Sequence, residues 1–169
     1  QSLLRDVVWG ISAIEMVVQR PLPEGRKENI SQWGARDTLR SWTWPQAMRQ
    51  ELSVQVFTRA DHVDLELNGR RIGERRLSPD DQSVAEFSVP YAPGRLVATA
   101  YRQGAQVGRC MLETAGASAA LRVRADRSSI RASRNDLAFV TIEIVDAQGR
   151  LVPDAVSVVE IALSGPARL

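Results

Sequence analysis

Two carboxyl groups held close together, one with its pKa raised in a sheltered setting, can work as a general acid and base. The chain offers Asp64 and Glu66, which alternate with Val63, Leu65 and Leu67 and so share the polar face of one strand. Charges on an open face stay solvated and keep ordinary pKa values, so this pair is read as surface rather than catalytic. Glu143, flanked by Ile142 and Ile144, is read the same way. His62 is the only histidine, which removes most histidine-based triads and zinc sites. It follows Asp61 and leads into a strand, with only carboxylates to join it around a metal, so we expect no metal site. Serine-based catalysis lacks a base, and no glycine-rich phosphate loop precedes a helix. The expected catalytic set is empty, and no cofactor is expected.

The aromatic residues are the stronger candidates. Trp33, Trp42 and Trp44 arrive within a dozen residues, and Trp42 and Trp44, two apart, point the same way in an extended segment. Three readings stay open for them: core packing, contact with other domains, or contact with the flat C–H face of a sugar. Trp9 is read as a packing residue. Cys110, the only cysteine, permits no disulfide within the chain and sits in an apolar-rich strand pattern, the setting of a buried small hydrophobe.

The elements that must carry these residues are strands. Leu52, Val54 and Val56 alternate with Ser53 and Gln55. Val63, Leu65 and Leu67 follow and end in Asn68-Gly69, which supplies the positive φ angles of a tight hairpin. Further strands fit Arg71 to Leu77, Val84 to Val89, Leu96 to Tyr101 and Gln106 to Glu113, with Ala13 to Gln19 ahead of them. Turn chemistry bounds each: Ser78-Pro79-Asp80, Pro90 through Gly94, Gln103-Gly104. No intervening stretch is long enough for a crossover helix, and no helix is expected. After the small-residue stretch Thr114 to Ser118, strands are expected at Ala120 to Ala125, Leu137 to Val145 and Ala155 to Leu163. The fold class is therefore all-β, with two tandem immunoglobulin-like antiparallel sandwiches at 1–115 and 116–169. The second is about half of the ~100 residues such a sandwich uses. A shortened sandwich leaves strand edges and an apolar face open, so we expect a homodimer through those edges or a loosely ordered C-terminal part.

Hydrophobic residues make up 44% of 169, enough for real cores. The net charge is +2, from 22 basic and 20 acidic residues, and Lys27 is the only lysine. Such a balance lacks the contiguous basic face that nucleic acid requires. No apolar run approaches the ~18 residues of a membrane-spanning helix, so no membrane partner is expected. Gln1 opens the chain with neither Met nor a leader pattern, so a longer parent is expected, with any secretion signal outside these residues.

An ordered series of segments resembles the non-catalytic β-sandwich domains that follow the catalytic barrel in bacterial glycoside hydrolase family 2, chiefly β-galactosidases. It comprises Ser41-Trp42-Thr43-Trp44-Pro45, Leu52 to Thr58, Asp61 to Gly69 with Ile72-Gly73, Val89 to Leu96, and Glu113 to Gly116. Asp136 to Val140 and Asp146 to Pro153 are similar to the next immunoglobulin-like domain of the same enzymes. Gln46 to Gln50 departs from the pattern, where relatives carry a glycine-rich turn. The resemblance implies a parent that hydrolyses β-glycosidic bonds by a retaining mechanism, using two barrel glutamates that no segment here matches. It also implies an accessory role beside that barrel, and a periplasmic or secreted setting. The alternative is a stand-alone carbohydrate-binding or adhesin-like module.

Overall fold

The structure, a computed structural model, describes residues 2–23, 25, 26, 28, 36–131, 133 and 135–164. Its elements are α1 (Ser2–Val8), β1 (Ile14–Gln19), β2 (Thr38–Leu39), β3 (Glu51–Thr58), β4 (His62–Leu67) and β5 (Arg70–Arg76). There follow β6 (Val84–Pro90), β7 (Arg95–Arg102), β8 (Ala105–Glu113), β9 (Ser118–Ala125) and β10 (Val140–Asp146). Two four-stranded antiparallel sheets, in the orders β2-β1-β3-β6 and β5-β4-β7-β8, form a sandwich.

The alternation read from the sequence decides which residues meet between the sheets. One sheet contributes Ile14, Met16, Val18, Leu52, Val54, Val56, Ala85, Phe87 and Val89; the other contributes Val63, Leu65, Leu96, Ala98, Ala100 and Leu112. All of them are buried, and together they form the central cluster. Asn68 and Gly69 take φ values of 54° and 79° and Gln103 and Gly104 take 51° and 80°, the left-handed pair of a two-residue hairpin in both cases. A bulge between Leu65 and Glu66 shifts the register of β5, which opens at Arg70 rather than Arg71.

Gly94 closes the connection between β6 and β7 at φ 133°, and a Cβ there would run into the Asn68 side chain. That amide is fixed by two bonds, Nδ2 donating to Pro93 O at 3.0 Å and Oδ1 accepting from Arg95 N at 2.8 Å. Neighbouring turns therefore lock each other.

Besides the short β2, which the sequence reading did not expect, three elements differ from it. Ser2–Val8 is helical, although no helix was expected, because two turns are too short for a 3.6-residue period to show. The helix lies against β1 and β3 and buries Val7 completely. Second, the strand expected from Leu137 begins at Val140. Third, Ala155 to Leu163 forms no strand: Val156 and Val158 are 98% and 97% exposed. An extended segment becomes a strand only where a neighbour supplies its hydrogen bonds, and among the described residues none does. Beyond the sandwich, β9 and β10 pair as a two-stranded antiparallel sheet. Leu121, Val123 and Val140 remain half or more exposed on it.

Candidate functional site

Trp42 and Trp44 are both fully buried, so neither offers a ring face to a sugar or to another domain. Four contacts hold them in the sandwich core. Trp42 packs on Tyr91 with ring centroids 5.0 Å apart and donates through Nε1 to Ala92 O at 2.9 Å. The Tyr91 hydroxyl in turn accepts from Trp44 N, at 3.0 Å. Trp44 Nε1 donates to Ser41 O at 3.2 Å. Each indole N–H thus has a partner, the condition for burying tryptophan without cost. The sugar and interdomain readings of these two rings are corrected to core packing. Trp33 lies outside the described residues. Trp9 reverses the opposite way: expected to pack, it is 69% exposed beside Ile11 at 71%, with the Arg5 guanidinium over its ring at 5.3 Å.

The strongest gathering of polar side chains lies on the outer face of the β5-β4-β7-β8 sheet. Register makes it. His62 stands opposite Arg76 on one side and Tyr101 on the other, and Asp64 stands opposite Glu74. The hairpin then brings Arg71 over Asp64, and its Nη2 donates to both Asp64 Oδ1 and Glu74 Oε2. His62 Nε2 donates to the same Asp64 oxygen at 2.8 Å, and the imidazole meets the Tyr101 ring edge-on at 5.8 Å.

Two carboxylates do converge here, but Arg71 lies between them. Burial alone would raise the Asp64 pKa. Hydrogen bonds from His62 and Arg71, with the guanidinium charge, outweigh it and hold the group below the ordinary carboxylate value. This corrects the expectation of an unperturbed Asp64, and the shift runs opposite to what a general acid needs. Ligand atoms of His62, Asp64 and Glu74 lie within 4.8 Å of one another, a spacing a cation could bridge. Arg71 already supplies the positive charge at that place. Glu143 is likewise ion-paired, accepting from Arg122 Nε at 2.8 Å. Cys110 is partly buried against the core, and burial pushes its thiol up to about 12, leaving it unreactive near neutral pH.

A second arrangement ties the sandwich to the β9–β10 sheet. The stretch read as a linker is hydrogen-bonded along its length. Thr114 Oγ1 donates to Trp42 O at 2.7 Å and accepts from Gly94 N at 2.9 Å, while Ala115 N donates to Thr43 Oγ1 at 2.8 Å. Asp146 completes the tie. Its side chain is nearly inaccessible and accepts from the amides of Gly116, Gln148 and Arg150 and from Arg150 Nε, at 2.7–2.9 Å. Burial would raise its pKa, but these donors outweigh burial and drive the carboxyl far below its usual range. Arg150 also reaches Glu113 at 3.4 Å, joining β8 to the second unit. Asp146 was legible only as part of a turn, since nothing local marks it as the partner of Gly116, thirty residues earlier.

Buried aromatics, an ion-paired outer sheet face and a hydrogen-bonded junction define an antiparallel β-sandwich module with a second unit fastened to it. Residues 49–108 match a domain of unknown function (DUF4982), and residues 121–169 match glycoside hydrolase family 2 C-terminal domain 5. A β-galactosidase of Bacteroides ovatus is 34% identical over 139 residues, which is 80% of this chain and 16% of that protein. A β-glucuronidase of Formosa agariphila is 28% identical over 127 residues, 73% of this chain and 13% of that protein. Among solved structures, a glycosyl hydrolase family 2 member from Bacteroides cellulosilyticus matches with a TM-score of 0.70 at 32% identity. That match covers 89% of this chain and 20% of that one. The chain belongs to glycoside hydrolase family 2, as an accessory segment from the C-terminal region of such proteins. It spans about a sixth of the length of the Bacteroides ovatus relative.

Proposed function

We propose that this segment is a non-catalytic, load-carrying part of a β-galactosidase-like retaining glycosidase, divided at 115/116 into a sandwich and a smaller second unit. The observation that carries this reading is the state of its carboxylates. Asp64 and Glu74 share one guanidinium, and Asp146 is bound by four donors, so each is committed to structure. The family matches fall to either side of the proposed division. The other domains of the parent chain are the partners, and a periplasmic or secreted setting goes with that parent. Val8, Trp9 and Ile11, at 50%, 69% and 71% exposure, form the apolar stretch best suited to meet a preceding domain.

The test uses the purified chain with p-nitrophenyl β-galactoside and p-nitrophenyl β-glucuronide. No turnover is expected. Turnover that survives further purification and is lost in Asp64→Asn would sink the reading. In the parent enzyme, Trp9→Ala is expected to lower the melting temperature while leaving that of the isolated chain unchanged.

A further inference from the structure

The outer face of the β5-β4-β7 strands carries an open concavity of 670 Å³, lined by Asp61, His62, Asp64, Arg76, Tyr101 and Gln103 among others. Its volume falls within the range of about 300–1,000 Å³ that small-molecule sites occupy. Its floor is built by register. Arg76, His62 and Tyr101 form one row across three adjacent strands, about 10 Å wide at two strand spacings. One end is closed by the β7–β8 hairpin, whose Gln103 N donates to Asp61 Oδ2 at 2.8 Å.

The groups left over after internal pairing indicate the ligand chemistry. Arg71 is engaged by Asp64 and Glu74, and one oxygen of Asp61 and one of Asp64 are engaged as well. Among the described residues, the Arg76 guanidinium, the Tyr101 hydroxyl and the Gln103 amide make no side-chain hydrogen bond within the chain, and Asp61 and Asp64 each keep a second oxygen. Free donors and free acceptors therefore stand side by side around an aromatic ring and Leu77. A simple anion would face the two aspartates, and a cation would face Arg71 and Arg76. A purely apolar molecule would strand every one of these polar groups. A ligand whose hydroxyls both donate and accept, and whose ring carries an apolar C–H face, satisfies all of them.

From this we infer that the concavity binds a neutral, hydroxyl-rich sugar, the row Arg76–His62–Tyr101 forming the platform. The inference rests on the reading of the chain as part of a glycosidase, but its test needs no catalysis.

The purified chain, labelled with ¹⁵N, is titrated with lactose, with cellobiose and separately with glucuronic acid, while its amide resonances are followed. Saturable shifts at His62, Tyr101, Gln103 and Gly104 are expected with either disaccharide, with a Kd in the millimolar range. Tyr101→Ala and Arg76→Gln are each expected to weaken binding about tenfold or more, a loss of the size of one anchoring contact. Trp9→Ala is expected to leave binding unchanged. Should Tyr101→Ala lose the folded spectrum, Arg76→Gln, at an exposed side chain, carries the test alone. No saturable shift with either disaccharide, or binding indifferent to the variants that fold, overturns the site. Binding of glucuronic acid in preference to both disaccharides overturns the neutral class. Neither failure touches the turnover test, which concerns the role of the carboxylates.

Discussion

Trp42 shows how a residue type rich in surface chemistry becomes a structural one. Its ring is enclosed, its Nε1 is satisfied by Ala92 O, and its carbonyl accepts from Thr114. Removing the indole would leave a cavity beside Tyr91 and strip Ala92 O of its donor, while the backbone carbonyl would still accept from Thr114. Trp42→Ala is therefore expected to cost about 3–5 kcal/mol, in the range of buried aromatic truncations. Urea unfolding followed by circular dichroism measures it; a loss below about 1 kcal/mol would contradict the packing described here. Trp9 is the counterpart, a large apolar side chain left mostly exposed with the Arg5 guanidinium over its ring. The two residues have the same chemistry, and their environments give them opposite roles.

At the scale of elements, the sandwich is fixed as much by its turns as by its strands. The β6–β7 connection depends on Gly94, which combines a φ of 133° with direct approach to Asn68. Asn68 itself sits at φ 54° in the β4–β5 hairpin and donates to Pro93 O. A side chain at position 94 would strain the backbone and displace that amide together. Gly94→Ala is accordingly expected to destabilise by about 1–3 kcal/mol. The same denaturation measurement reports it, and a neutral effect would mean the two turns are not coupled. The β9–β10 sheet draws its support from the Asp146 turn rather than from further strands. Two strands are marginal alone, and the polar face of this pair carries the Arg122–Glu143 ion pair at 2.8 Å.

For the whole molecule, the decisive group is Asp146, where the second unit meets the sandwich. Its folded pKa lies below its unfolded value of roughly 4. The stability it contributes is thus fully present above that unfolded value and is lost as pH falls through the folded one. Amide exchange protection at Gly116, Gln148 and Arg150 is expected to be level above roughly pH 4 and to fall in acid. Asp146→Ala should lack that protection at every pH while leaving the amides of β3, β4 and β7 protected. Equal loss across both units would show that the junction is not a separate joint. Arg150 pairs with both Asp146 and Glu113, so one guanidinium spans the joint.

Much of this was legible in the residue order. Alternation at Leu52–Val56 and Val63–Leu67 set the strands and the face each turns inward, because side chains on a strand reverse direction at every step. Asn68-Gly69 and Gln103-Gly104 set two hairpins, because only certain residues tolerate a left-handed backbone. These effects act between near neighbours, so local reading reaches them. The burial of Trp42 depends on Ala92, fifty positions away, and that of the linker on Thr43, seventy-two positions from Ala115. Arg71 comes to lie over Asp64 only after a hairpin and a bulge have set the register. The apolar pattern of Ala155 to Leu163 reads as a strand, yet a strand needs a neighbour, and that is a property of the assembled molecule. The order of residues determined which faces were apolar; the tertiary structure decided which of them were covered, because covering requires atoms from distant parts of the chain.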